Sequence, residues 1–385
     1  MEGLELYLHI PFCKRKCSYC DFASCAGREE LILPYCRAVK REIALRAAEY
    51  GPLPVCTAYI GGGTPSLLPP HVLEEMLDSL FDAFPLVPGA EVTCEANPGT
   101  LTIDFLRMLR AKGVNRLSLG AQALQERLLH TLGRIHRWEQ VEDSVLMARQ
   151  AGFDNLNIDL MFGLPGQSRA DFAQTLASAV SLSPEHVSCY GLILEEGTPL
   201  FTQAGKGELS LPKEAEERAM YGDALRLLKK AGLAPYEISN FALPGRACRH
   251  NLGYWQGASY LGFGAAAHSR MPSDDGLGAY IRFGNTGSLE EYISGMEQGV
   301  IPLKERSAVS PREAEFETLM LGLRVLRGVA EADFLRRHGR TLTEAFGSKI
   351  SPLVEGGLLK YANGYLRLTR RGMDVQNAVL VDLMD

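Results

Sequence analysis

Apolar residues in the first half of the chain follow two alternating rhythms. Short runs, ELYLHI (5–10), VCTAYI (55–60), EVTCEA (91–96), RLSLGA (116–121), NLNIDLMF (155–162) and HVSCYGLIL (186–194), read as strands. Between them the period lengthens. Residues 31–50 and about 70–84 read as helices, with Pro34 tolerable in a first turn. Thr102 reads as the cap of a helix that buries Ile103, Leu106 and Leu109 and stops at Lys112-Gly113. The segments AKGVNRLSL, QAGFDNLNIDL and KKAGLAPYEI each close a helix on Gly113, Gly152 or Gly232 before a strand, the glycine suiting a left-handed turn. Alternating β and α units predict an α/β chain with a parallel sheet, an incomplete or full (β/α) barrel.

After about residue 200 the pattern changes. A helix over 212–231 precedes a Gly- and aromatic-rich stretch from Tyr236 to Gly287. Residues 310–385 then read as a small α+β unit, with helices near 311–327 and 331–338, a weaker one near 349–356, and the run LLKYANGYLRLT. Asn363-Gly364 between apolar runs signals a hairpin. Helices followed by a hairpin predict a winged-helix-like domain. The expected division is a barrel core over 1–205, its completion over 206–300, and the C-terminal unit over 301–385.

At 385 residues the chain has room for two or three domains. Hydrophobic residues are 46% and charged residues 22%, an ordinary globular balance that excludes disordered and collagen-like classes. The net charge, 40 − 46 = −6, argues against a strongly basic nucleic-acid binder. The first residues lack the basic and apolar regions of a signal peptide, and no apolar run approaches the ~20 residues a membrane span needs. Of nine cysteines, three crowd one segment and the rest are scattered. That usage fits a cytoplasmic protein with a metal or redox site and no secreted disulfide framework.

The crowded segment is Cys13-x3-Cys17-x2-Cys20, after the first predicted strand. Thiolates in such spacing ligate an iron–sulfur cluster or zinc. Three cysteines leave zinc one ligand short unless Cys25 or His9 completes the site. A cubane cluster on three thiolates keeps one iron open for a small molecule. Cys36, Cys56, Cys94 and Cys189 read as buried, inert thiols. Gly61-Gly62-Gly63-Thr64-Pro65, at the end of the second strand, reads as either a tight turn or a close approach of backbone to a ligand. Glu95, Gln122 and Asp159 fall at or near strand C-terminal ends, where α/β barrels assemble sites. The alternatives are a helix cap for Asp159 and a surface ion pair for Arg134.

CxxxCxxC after a first strand resembles the radical S-adenosylmethionine (SAM) superfamily. In that setting the open iron binds the amino and carboxylate groups of SAM, and an electron from the reduced cluster cleaves the sulfonium to a 5′-deoxyadenosyl radical. GGGTP resembles the superfamily's GGE-type motif, with Thr64 where many members have Glu. YLHIPFCxxxCxxCDF, GGGTPS, CEANPG, LSLGAQ, DLMFGLPGQ and RHNLGYW together resemble the radical SAM heme chaperone family HemW, a relative of the oxygen-independent coproporphyrinogen III oxidase. The resemblance runs from Tyr7 to about His268; past residue 300 it is a general likeness to the family's C-terminal domain. It implies a [4Fe-4S] cluster on Cys13, Cys17 and Cys20. It implies SAM contacts from Tyr7, Gly62, Gly63, Thr64, Glu95, Gln122, Arg134 and Asp159, with Arg134 meeting the SAM carboxylate, and Tyr19 covering cluster and cofactor. Heme, an unidentified heme acceptor, and a reductant such as a flavodoxin or ferredoxin are the implied partners.

The chain departs from the oxidase branch in three places. Phe22 stands where the oxidase has a further cysteine, the first strand begins almost at Met1 with no room for the oxidase's N-terminal extension, and His250-Asn251-Leu252-Gly253-Tyr254-Trp255 matches the chaperone signature HNxxYW. Imidazole is a good axial ligand for heme iron and aromatic rings pack on porphyrin faces, so His250, Tyr254 and Trp255 are the heme candidates. On residue chemistry alone they read equally as a loop histidine with core aromatics. His268 and Cys248 are secondary ligand candidates, and Arg249 could meet a propionate. Besides a heme chaperone, two readings stay open here: the oxidative decarboxylase of coproporphyrinogen III, and a zinc-stabilised winged-helix regulator, against which the acidic charge argues. Arg367, Arg370 and Arg371 read as a solvated cluster.

Overall fold

The computed structural model describes residues 3–273 and 278–384. Six strands, β1 (Leu4–Ile10), β2 (Val55–Gly62), β3 (Leu86–Ala96), β4 (Arg116–Gln122), β5 (Leu156–Phe162) and β6 (His186–Gly191), lie side by side in chain order and pair in parallel. Helices connect them. Thr102 accepts a hydrogen bond from the Phe105 amide as the predicted cap, and Gly113, Gly152 and Gly232 all have φ between +85° and +89°. β4 is buried along its whole length, as expected of a central parallel strand covered on both faces.

Beyond β6 the sheet continues antiparallel through β8 (Asn240–Ala242) and β7 (Ala234–Pro235). On the other side of β1, β9 (Tyr260–Phe263) adds in parallel, followed by antiparallel β10 (His268–Pro272), β11 (Tyr280–Asn285) and β12 (Leu303–Val309). The order is β12-β11-β10-β9-β1-β2-β3-β4-β5-β6-β8-β7, and among the described residues its two ends do not pair. The barrel is therefore open. The Gly- and aromatic-rich stretch supplies four of these flanking strands, β8 to β11, and the short helix Arg249–Trp255.

The C-terminal unit has its own core of Leu319, Phe334, Leu342, Phe346, Leu366 and Val379. Helices Pro311–Gly322, Glu331–His338 and Leu342–Glu355 pack with β13 (Val329–Ala330), β14 (Leu359–Ala362) and β15 (Tyr365–Leu368), in the order β13-β15-β14. This is the predicted winged-helix-like arrangement, with Asn363 (φ 54°) and Gly364 (φ 74°) turning the hairpin.

Four boundaries differ from the sequence reading, the first being β3, which begins at Leu86 and not at Glu91. The strand expected over 186–194 stops at Gly191, because β5 ends at Phe162, the partner of Gly191. The helix expected over 311–327 stops at Gly322; Val325 and Leu326 instead pair with the backbone of Glu237 and Tyr236. The weak helix near 349–356 begins at Leu342, where Thr341 and Glu344 form a capping box.

Candidate functional site

The three cysteines lie in the loop after β1, each partly exposed. The loop is anchored at both ends. Cys25 ties its neck to the end of β1, accepting from the Cys13 amide and donating to Pro11 O, both at 2.8 Å, and the Ser18 amide donates to Leu132 O at 2.9 Å. The glycine motif braces its start: Gly63 N donates to Ile10 O at 2.7 Å and Thr64 N to Phe12 O at 2.8 Å. A Cβ on Gly63 would lie 2.7 Å from both carbonyls, and one on Gly62 (φ +104°) would strike the His9 ring. The close approach that these glycines permit is thus first to the cysteine loop itself, while both still face the cavity beside it.

Among the described residues no three His, Cys, Asp or Glu side chains are grouped to hold one metal ion. A cubane cluster spreads its three thiolates over three separate irons. His9, the alternative zinc ligand, has both ring nitrogens engaged, Nε2 with Ala23 O at 2.8 Å and Nδ1 with the Tyr7 hydroxyl at 2.9 Å.

A cavity of about 390 Å³ opens beside the loop. All three cysteines line it, and so do Tyr19, Gly62, Gly63, Glu95, Gln122, Arg134 and Asp159. They come from the cysteine loop, the ends of β2 and β3, β4, β5 and the segment after β4 that carries Arg134, which is why they converge only in the fold. The Arg134 guanidinium donates to Asn97 Oδ1 at 2.7 Å, to Gly120 O, and to Cys17 Sγ at 3.6 Å, while its buried Nε has no partner. It is not a surface ion pair. Glu95 accepts from the Tyr59 hydroxyl at 2.7 Å and from Gly62 N at 3.0 Å; desolvation lifts its carboxyl to about 7. Asp159 lies within β5 and is no helix cap, accepting from Ser118 Oγ at 3.0 Å and Asn157 Nδ2 at 2.7 Å. Burial raises its carboxyl as well. Gln122 has φ 65°, unusual for a non-glycine residue, at the irregular end of β4.

Two expected contacts stand apart. Tyr7 does not line this cavity and points to the next one. Thr64 is buried under the loop, where its hydroxyl donates to Cys13 Sγ at 3.7 Å and accepts from Asn97 Nδ2 at 2.7 Å. Asn97 was missed from sequence although it links Thr64 to Arg134. Its place two residues after Glu95, in CEANP, was the available signal.

The second cavity, about 600 Å³, shares the walls Phe22, Tyr59, Gly62 and Glu95 with the first. His250, Tyr254 and Trp255 line it together with Tyr7 and His268. Helix Arg249–Trp255 presents them. The His250 ring stacks on Tyr59 at 5.2 Å, meets Tyr254 edge-on at 4.7 Å and bonds through Nδ1 to the Thr57 hydroxyl at 2.8 Å. Its buried Nε2 has no partner, and neither does Trp255 Nε1. Desolvation, helped by nearby Arg116, pushes the imidazole down to about 3, so the ring is neutral.

The secondary candidates fare differently. Cys248 is fully buried with its thiol on Glu91 Oε1 at 3.4 Å and does not face the cavity. Arg249 turns to Gly89 O at 2.6 Å and is likewise absent from the walls. The cations that do line the cavity are Arg270 and Arg282, from β10 and β11, elements that sequence periodicity did not reveal. Arg282 pairs with Glu317 at 2.8 Å, and Arg270 lies 3.8 Å over the Tyr280 ring.

An open parallel (β/α) barrel with a three-cysteine loop at the strand C-terminal ends defines a radical SAM protein. A profile of the Radical SAM superfamily matches residues 7–179, and one of the HemN C-terminal domain matches 309–375. The heme chaperone HemW of Bacillus subtilis (strain 168) is 36% identical over 374 residues, 97% of each chain, and that of Escherichia coli (strain K12) is 33% identical over 381 residues, 99% of this chain and 98% of the other. The chain belongs to the HemW family. In fold it matches the solved coproporphyrinogen III oxidase HemN of Escherichia coli with a TM-score of 0.84, over 99% of this chain and 90% of that one, at 23% identity. Among the described residues no helix is long and apolar enough to cross a membrane.

Proposed function

We propose that this chain is a cytoplasmic heme chaperone that carries a [4Fe-4S] cluster on Cys13, Cys17 and Cys20, binds SAM beside it, and passes heme to an acceptor protein. The carrying observation is the buried, neutral His250, whose Nε2 lacks a hydrogen-bond partner on the wall of the 600 Å³ cavity. An unpaired buried nitrogen costs about 1–3 kcal/mol, which an iron ligated there would offset. Tyr254 and Trp255 would pack against the porphyrin, and Arg270 and Arg282 would meet its propionates. Residues Glu317, Met320 and Leu321 of the C-terminal unit close the cavity. The names of the HemW relatives agree with this reading.

A bound, reduced cluster supplies a low-potential electron to the SAM sulfonium. The chain's own residues position and shield. Arg134, with its free Nε, takes the SAM carboxylate. Glu95 and Asp159, both with raised proton affinity and without a cation bonded to them, accept from SAM hydroxyl or ammonium groups. Tyr19, packed against the apolar cluster that includes Leu128 and Met161, covers the site from water.

Because the two cavities share Tyr59, Gly62 and Glu95, SAM and heme occupy adjoining sites, and SAM acts on heme release through that wall. The test is anaerobic heme titration of wild type and His250→Ala. The variant is expected to lose the axial-histidine spectrum; identical spectra and affinity would remove His250 as ligand. Incubation with coproporphyrinogen III, SAM and a reductant is expected to give no turnover. Multiple turnovers to protoporphyrinogen would establish the decarboxylase reading instead.

A further inference from the structure

A chain of hydrogen bonds runs beneath the cysteine loop and ends on two of its sulfurs. It starts from the turn that follows β3. Pro98 and Gly99, at φ 79°, form the Pro-Gly centre that type II turns favour, and Thr100 N closes the turn on Asn97 O at 3.2 Å. The Asn97 side chain lies between Thr64 and Arg134. A guanidinium can only donate, so Asn97 Oδ1 faces Arg134, accepting from Nη2 at 2.7 Å, and Nδ2 is left to donate to Thr64 Oγ1 at 2.7 Å. With that oxygen engaged as an acceptor, the Thr64 hydroxyl turns its proton to Cys13 Sγ, 3.7 Å away. At the other end Arg134 Nη1 donates to Cys17 Sγ at 3.6 Å. Gly120 makes room for the chain: a Cβ there would lie 2.8 Å from Arg134 Nη2 and 3.2 Å from Asn97 Oδ1.

We propose that Asn97 is a positioning residue for the cluster: it holds the Thr64 hydroxyl on Cys13 and the Arg134 guanidinium on Cys17, and these two bonds together raise the cluster's reduction potential. This rests on the cluster reading above. A reduced cluster carries one more negative charge, spread partly onto its thiolates. Donors on those sulfurs stabilise the reduced form more than the oxidised one, and such hydrogen bonds are among the levers that set cluster potentials. Asn97 bonds to neither sulfur and acts only through its two neighbours. Without it the Thr64 hydroxyl is free to rotate away from Cys13, and Arg134 Nη2 keeps only Gly120 O. The tuned step is the gain of one electron by the cluster from a one-electron reductant; no bond forms or breaks.

The experiment measures the potential of anaerobically reconstituted holoprotein without SAM or heme, so that contacts of these residues with SAM do not enter. Iron and sulfide are quantified on each sample, and the reduced cluster is followed by electron paramagnetic resonance during a dithionite titration. Wild type is compared with Thr64→Val, Thr64→Ser, Asn97→Leu and the double variant Thr64→Val with Asn97→Leu. Asn97→Ala replaces Asn97→Leu if the larger side chain prevents cluster assembly. At the poise where wild type is half reduced, Thr64→Val and the Asn97 variant are each expected to lower the ratio of reduced to oxidised cluster about tenfold, equal to about 59 mV for one electron. Thr64→Ser keeps the hydroxyl and stays within twofold of wild type. The double variant lowers the potential by less than the sum of the single variants, because both remove the same bond to Cys13. A ratio within twofold of wild type in Thr64→Val or in the Asn97 variant, at full iron and sulfide, would overturn the inference, and so would strictly additive falls. A wild-type chain without a reducible cluster would overturn the cluster reading itself, and this inference with it.

Discussion

Glu5 sits in β1 beneath the helix Arg249–Trp255 with 1% of its surface exposed. Its Oε2 finds no hydrogen-bond partner and lies 3.9 Å from His250 Nδ1. Gly253, inside the His250–Trp255 motif, leaves the room it occupies, since a Cβ there would collide with the carboxyl. Burial, with a further contribution from Glu91, lifts its carboxyl from 4.5 to about 8. As pH rises the unfolded chain therefore releases this proton first, and the folded state loses stability from about pH 4.5 until about pH 8. With about 1.36 kcal/mol per pKa unit, the loss between about pH 5.5 and 8.5 comes to ~3 kcal/mol. Glu5→Gln keeps the shape and removes the titration. Urea unfolding of both proteins at the two pH values is the assay. The stability of the variant relative to wild type is expected to rise by ~3 kcal/mol across that window. Parallel pH profiles would refute the reasoning, because Glu5 would then titrate alike folded and unfolded.

Two further outcomes follow from the cluster cavity. Arg134→Ala should weaken SAM binding to the reconstituted protein roughly a hundredfold or more, the ~3–5 kcal/mol expected when a buried charge loses its partner, and calorimetry with unchanged affinity would free Arg134 of that role. Gly63→Ala should lower bound iron and sulfide, because its methyl would sit 2.7 Å from the Ile10 and Phe12 carbonyls and displace the cysteine loop; a full complement of cluster would show that the brace is dispensable.

The radical SAM core was legible in the sequence because its signals are local. The central strands carry apolar residues at alternate positions, as Leu117, Leu119 and Ala121 do in β4, a helix end needs Thr102 or Gly113, and the three cysteines of the loop fall within eight residues, Cys13 to Cys20. That Glu95, Gln122, Arg134 and Asp159 line one cavity was legible only through their motifs. Nothing local to Glu95 or Arg134 distinguishes a cavity wall from a surface pair.

What the sequence left open lies where partners are distant along the chain. The end of β6 depends on where β5 stops, and the end of helix Pro311–Gly322 on backbone groups of Tyr236 and Glu237. Arg249 stands beside His250 in sequence yet faces away from the cavity, whereas Arg270 and Arg282 reach it from antiparallel strands whose pairing no short window encodes. By itself the sequence determined the element order, the cysteine loop and the HNxxYW segment, because each is written in the spacing of neighbouring residues. Only the tertiary structure decided which cations face the cavity, which glycines brace the chain's own loop and that the two cavities share a wall. Those facts depend on the direction of side chains across a sheet, and strand order and register set that direction.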